Sequence, residues 1–263
     1  MTDESLPKVA RVAAGEFVMG ADDGEDDERP PHRAYVDEFA IGIFPVTNAE
    51  YAQFVRETDH PAPTVRVLPR MVSGALESDF RSLAAAYFWT DAAPPEGRGS
   101  HPVTLVGFED AVAYCAWLAN KIAKPVRLPT EAEWERAARG GLENKRFPWG
   151  DTLGAESAHF LPDATAKAEA GTAPVGSYPP NGFELHDMAG NVWEWVSDWY
   201  SPDYYARAQY TNPRGPESGL MRIVRGGAWM NADARYLRCA YRHKVPPDSY
   251  SYSIGFRIAY SLK

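Results

Sequence analysis

The stretch "GNVWEWVSDWY" (Gly190–Tyr200) sets four aromatic rings, Trp193, Trp195, Trp199 and Tyr200, behind a glycine–asparagine turn. Trp193 and Trp195 are two apart, the period of a strand, so both rings point to one side and pin a core. Before this stretch the chain reads "GTAPVGSYPPNGFELHDMA" (Gly171–Ala189), and after it comes "RIVRGGAWM" (Arg222–Met230). Glycine, proline and asparagine punctuate both flanks. Beyond residue 140, helical periodicity gives way to short strands and irregular segments.

Upstream the pattern is helical. "TNAEYAQFV" (Thr47–Val55) opens with Thr47 as N-cap and Glu50 three residues on, a capping box. In "FEDAVAYCAWLANKI" (Phe108–Ile122), Ala111, Tyr114, Cys115 and Leu118 recur at helical spacing, which makes Cys115 a small buried hydrophobe. "RLPTEAEWERAARGG" (Arg127–Gly141) repeats the device with Thr130, Glu133 and a terminating Gly140. "GEFVMG" (Gly15–Gly20) reads as a strand, and "AYVDEFAIGIFPV" (Ala34–Val46) as another, broken at Pro45. The acidic "ADDGEDDERPPH" (Ala21–His32) between them reads as a solvated loop, without the ligand spacing of a known calcium loop. Residues 58–100 read as an irregular, variable surface loop. With no low-complexity linker and no repeat, 1–263 reads as a single domain of α+β class, its helices mainly in the N-terminal half.

A net charge of −9 argues against a nucleic-acid partner. No apolar run approaches the ~20 residues of a membrane span, and the N-terminus has no signal-peptide pattern. The expectation is a cytoplasmic protein with no membrane partner, whose two cysteines, Cys115 and Cys239, are reduced.

These phrases, together with "PPHRAYVDEFAIGIFPVTNAEYAQF", "HPVTLVGFEDAVAYCAWL", "FPWGD" and "PPDSYSYSIGFRIA", form an ordered series from about Gly15 to Tyr260. In order and spacing the series resembles the formylglycine-generating-enzyme family, or sulfatase-modifying factors. That family also holds sulfoxide-synthase domains, a pyoverdine-maturation enzyme and the variable proteins of diversity-generating retroelements. The resemblance implies a C-type-lectin-like fold, low in regular secondary structure.

It also implies metal sites. Calcium at the "GNVWEW" turn would take the Asn191 and Glu194 side chains and the carbonyls of Ala189 and Val192; the alternative is that both side chains tie the turn by hydrogen bonds. At a second calcium position Lys167 stands near the place of a carboxylate, against a site there. Copper-dependent members bind through two cysteines spaced five apart after an "RGGSW"-like motif. Thiolates suit Cu(I). Here the motif reads "RGGAW", Asn231 takes the first position, the second falls at Arg235 or Tyr236, and Cys239 reads as core. The expectation is therefore no copper-dependent formylglycine generation. Iron is not legible, since no two of His32, His60, His101, His159, His186 and His243 fall at i, i+4 or in an HxH array.

Two functions fit. One is a noncatalytic binder that displays Met230, Asn231, Asp233, Arg235, Tyr236, His243, Lys244, Ser249, Tyr250, Ser251 and Tyr252 above a floor that includes Arg225 and Trp229. Tyr and Ser together give rigid contact area with adaptable hydrogen bonding. The partner would be a small ligand or a protein, and the surface is a candidate for retroelement diversification. The other is a non-copper oxidoreductase or accessory protein using the same pocket. There Arg225, Arg235, Arg238 and Arg242 would grip a carboxylate or peptide, unless Arg238 and Arg242 are buried in ion pairs. Tyr236, Tyr250 or Tyr252 would donate a proton.

Overall fold

A computed structural model describes residues 6–64, 77–162 and 171–262, with residues 77–79 described in backbone only. Lys167 and much of the variable loop lie outside the described residues. The elements follow in chain order. Strands β1 (Val9–Val12), β2 (Gly15–Met19), β3 (His32–Val36) and β4 (Phe39–Gly42) precede helices α1 (Asn48–Thr58), α2 (Glu77–Ala84), α3 (Phe108–Ile122) and α4 (Glu131–Arg139). Strands β5 (Trp193–Trp199), β6 (Arg222–Arg225), β7 (His243–Val245), β8 (Ile254–Phe256) and β9 (Ala259–Ser261) complete the chain.

The capping boxes form as read. In α1 the Thr47 hydroxyl accepts from the Glu50 amide at 3.3 Å, and the Thr47 amide donates back to Glu50 at 2.7 Å. In α4 Thr130 and Glu133 do the same, and Gly140 closes the helix at φ 55°. Two readings are corrected. The strand expected over residues 34–46 is two strands, because strand pairing breaks at Asp37 and Glu38: β3 pairs with β2, and β4 with β1 and β9. Residues 58–100 are not irregular throughout, since they contain α2. No helix among the described residues is long and apolar enough to cross a membrane.

Three sheets result. β1, β4 and β9 pair antiparallel in the order β1-β4-β9, which clasps both ends of the chain onto β4. β2 and β3 form a hairpin. The central sheet runs β7-β6-β5-β8, with β5 and β8 parallel. β5 is its most enclosed strand. Trp193 and Trp195 enter one apolar cluster with Tyr51, Tyr114 and Phe256 from α1, α3 and β8. Val196 enters another, with Trp134 of α4 and Cys239. The shared side expected for the two rings is observed.

Polar side chains buried beneath the sheet are paired. Arg225 of β6 is fully enclosed and donates to Glu131 at 3.2 Å, to Glu135 at 2.7 Å and to the carbonyls of Cys239 and Ala240. Arg242 holds the other side of Glu131 at 2.8 and 3.0 Å, and donates to the Asp27 carbonyl. Arg238 grips Glu28 with two bonds of 2.7 Å. The acidic segment is therefore only partly solvated, because Glu28 and Asp27 are buried.

Two outcomes follow from this burial. Replacing Arg225 by Met leaves Glu131 and Glu135 short of a cation inside the protein. We expect a loss of about 3–5 kcal/mol in urea unfolding at neutral pH; a loss below about 1 kcal/mol would mean the network is dispensable. Asp198 on β5 is enclosed and accepts from the Glu131 amide and the Ser197 hydroxyl, with no salt bridge among the described residues. Burial, with the Glu131 charge beside it, pushes its carboxyl up from 3.8 to about 7. The folded chain thus holds this proton between those values while the unfolded chain has released it. Stability from this group falls as pH rises from about 4 to 7 and stays lowered above that. Asp198→Asn should flatten that slope and gain stability over the parent at pH 8 but not at pH 4, as read by denaturant titration.

Candidate functional site

The turn after β6 fixes the site. Gly226 and Gly227 both take left-handed backbone, at φ 95° and 75°. A Cβ on Gly227 would lie 2.7 Å from the Leu237 side chain and 2.9 Å from the Tyr236 carbonyl. The glycine pair therefore lets residues 234–237, a short 3-10 helix, fold back against the strand end. Asn231 closes the turn, its Oδ1 accepting from the Ala228 amide at 2.7 Å. Asp233 caps the 3-10 helix by accepting from the Arg235 amide at 2.9 Å.

Tyr236 packs edge-on against Trp193 at 6.0 Å and Tyr241 at 5.0 Å, and His243 stacks on Trp193 at 4.9 Å. The first position expected to carry a metal-binding thiol thus holds an asparagine spent on a turn, and the second falls at Arg235, paired with Asp233 and Glu25, or at Tyr236, spent on an aromatic cluster. Cys115 and Cys239 are free, buried and in separate clusters. Burial pushes both thiols up, Cys239 to about 12.

Beside the aromatic cluster runs a groove of about 830 Å³. Of the residues named from sequence, Arg235, His243, Lys244, Ser249, Tyr250 and Ser251 line it. The rest do not. Arg225 is a correction, because it lies wholly inside the ion-pair network and reaches no ligand. Arg242 borders the groove but is committed to Glu131, and Arg238 is committed to Glu28. Trp229 and Tyr252 are buried in a cluster with Phe80 and Tyr87. Met230, Asn231, Asp233 and Tyr236 stand outside the groove lining. "SYSYS" forms no strand, since Ser249 and Tyr252 turn inward ahead of β8.

The opposite wall comes from distant segments. Asp27 of the acidic loop accepts from the Tyr200 hydroxyl at 2.6 Å, and Lys244 donates to that hydroxyl at 2.9 Å. Glu25 pairs with Arg235 at 3.6 Å across the rim. Burial and the bond to Asp27 raise the Tyr200 hydroxyl above its ordinary value, so it stays protonated at neutral pH. Sequence reading missed Asp27 and Tyr200. The acidic run was the available signal, and it was assigned to solvent.

The calcium set does not fit as composed. Both amide atoms of Asn191 are spent on Ala173, at 3.1 and 3.2 Å. Both oxygens of Glu194 accept from Arg257 at 2.7 Å, and one also accepts from the Trp134 indole. A cation placed with Glu194, Asn191 and the carbonyls of Ala189 and Val192 would share both side chains with these bonds, at a carboxylate whose charge Arg257 already balances. No cluster of three or more His, Cys, Asp or Glu side chains suited to a metal occurs among the described residues.

A model of the sulfatase-modifying factor enzyme 1-like domain matches residues 1–262. The chain belongs to this family. Formylglycine-generating enzyme from Bos taurus is 38% identical over 285 residues, covering 96% of this chain and 74% of its own. The inactive Cα-formylglycine-generating enzyme 2 of Mus musculus is 34% identical over 285 residues, covering 97% and 86%. Among solved structures, Treponema denticola variable protein 1 superposes with a TM-score of 0.74 at 25% identity, over 96% of this chain and 94% of that one. The C-type-lectin-like fold expected from the ordered phrases is the fold observed. The sulfatase-modifying cysteine pair is missing from this member, whose two cysteines are both core residues.

The burial of both thiols has a direct readout. Ellman's reagent should titrate no thiol in the native protein and both cysteines once it is denatured; rapid reaction of one thiol under native conditions would place a cysteine in the site after all.

Proposed function

We propose that this member binds a ligand or protein partner in the groove beside β7 and does not generate formylglycine by the copper route. The observation that carries this reading is that Asn231 stands at the first thiol position and Arg235 or Tyr236 at the second, each engaged by the protein itself. A single buried thiol of raised pKa supplies neither two Cu(I) ligands nor a nucleophile. The groove supports the binding half. Tyr241, Tyr250 and Phe80 give it apolar contact, while Lys244, Asp27 and Ser251 offer donors and acceptors. A relative described as an inactive Cα-formylglycine-generating enzyme and a structural neighbour described as a variable protein support this reading.

The test is a Cu(I) competition with bicinchoninate, followed by incubation with copper, oxygen and a cysteine-containing sulfatase peptide. Bicinchoninate should keep the copper and mass spectrometry should find the peptide cysteine unchanged. Stoichiometric copper capture with conversion to formylglycine would refute the reading. If the groove is diversified, sequences from sibling strains should vary at exposed Arg235 and Lys244 and hold buried Arg225, Trp229 and Tyr252 constant. Variation spread evenly along the chain would remove diversification from the proposal.

One observation favours a second reading, a non-copper enzyme. The Asp27–Tyr200–Lys244 chain sets a protonated phenol between a carboxylate and an ammonium at the groove wall, an arrangement suited to a general acid. Under that reading Tyr200→Phe abolishes turnover and keeps binding; under the first, it changes affinity alone.

A further inference from the structure

A second cavity, of about 150 Å³, opens where the loop around Trp149 meets the segment that leads into β5. No residue lines both it and the groove. Trp149, Tyr178, Pro179 and Met188 form apolar walls, with Asp187 inside and Glu156 at the exposed rim. Among its described lining residues there are two carboxylates and no lysine, arginine or histidine.

Asp187 is 7% exposed. One carboxylate oxygen accepts from the Gly176 amide at 2.8 Å, and the other has no hydrogen bond among the described residues. The nearby cation is unavailable. All five N–H groups of Arg257 are spent: two on Glu194, two on the carbonyls of Gly42 and Ile43, and one on the His186 carbonyl. Arg257 therefore balances Glu194 and leaves Asp187 without a salt bridge. Burial raises the Asp187 carboxyl above its ordinary value, only partly offset by the Gly176 amide and Arg257. A buried acid is stable when a cation or donor meets it, and none of the described lining side chains brings a cation.

The walls are set in advance. The Trp149 indole donates to the Thr152 carbonyl at 2.8 Å and its ring stacks on Phe147 at 5.6 Å. The Tyr178 ring stacks on His159 at 5.8 Å. Aromatic faces beside carboxylates attract a positive head group, and apolar walls accept its alkyl stem. The volume is below the ~300 Å³ of pockets for drug-sized ligands, so it suits one short side chain or small molecule.

We infer that this cavity is a binding site for a primary alkylammonium group, with Asp187 meeting the ammonium and Trp149, Tyr178 and Pro179 enclosing the alkyl stem. The group comes either from a lysine side chain of another protein or from a free amine.

The probe is n-butylammonium, followed by the Trp149 indole N–H signal in the 15N-labelled protein, assigned with Trp149→Phe. Its neutral isostere 1-butanol and calcium chloride are titrated in parallel. We expect a saturable shift with butylammonium, at least tenfold weaker affinity in Asp187→Asn, and several-fold weaker affinity in Glu156→Gln. Glu156 is exposed, so its variant carries the test if the Asp187 variant does not fold. Saturation by N-acetyl-lysine methylamide at similar concentration assigns the source to a protein lysine; saturation by butylammonium alone assigns it to a free amine. Equal binding of 1-butanol, undiminished binding in both variants, or saturation by calcium with no response to amine would each overturn the inference. None of these outcomes bears on the groove reading, which involves other residues.

Discussion

The C-terminal third has little regular structure of its own, and buried arginine–glutamate pairing holds it in place. Arg225 and Arg242 share Glu131, Arg225 also takes Glu135, and Arg238 takes Glu28. Through these pairs α4, β6, the segment after the 3-10 helix and the acidic loop become one unit. The strands involved are short, three to seven residues, so backbone ladders alone would define their positions weakly. A guanidinium has five donors in fixed directions, so Arg225 and Arg242 each hold two backbone carbonyls as well as a carboxylate. Such pairs add specificity of arrangement more surely than they add stability.

That commitment determines what is left for function. Three of the four arginines that suggest ligand capture are used internally, and only Arg235 reaches the groove rim half-exposed. In the proposed binding reading, recognition in the groove falls to aromatic faces and to the hydrogen-bonded set of Asp27, Tyr200 and Lys244. The same accounting exposes Asp187. Every donor of Arg257 is used, and the acid beside it is left over. Functional candidates in this fold are the polar groups that the network does not consume.

The fold was legible to the extent that its signals are local. The Thr47 and Thr130 caps, the helical spacing around Cys115 and the paired tryptophans of β5 each depend on neighbours within a few residues, and each formed as read. The break between β3 and β4 has no local mark, because neither Asp37 nor Glu38 is a glycine or proline and the two strands part only by pairing with different partners. In the site, the C-terminal lining from Arg235 to Ser251 was readable, while its opposite wall was not. Asp27 and Tyr200 lie more than 170 positions apart in sequence, and nothing local marks two such residues as partners.

By itself the sequence determined the family frame, the capped helix termini and the absence of a second thiol where copper chemistry needs one. These are properties of residue identity and short-range geometry. Tertiary structure alone decided which charges are ligands for the protein and which remain for something else. Burial and pairing are properties of a charge's surroundings: the same arginine is a surface hook in water and a structural rivet once two glutamates from a distant helix close over it.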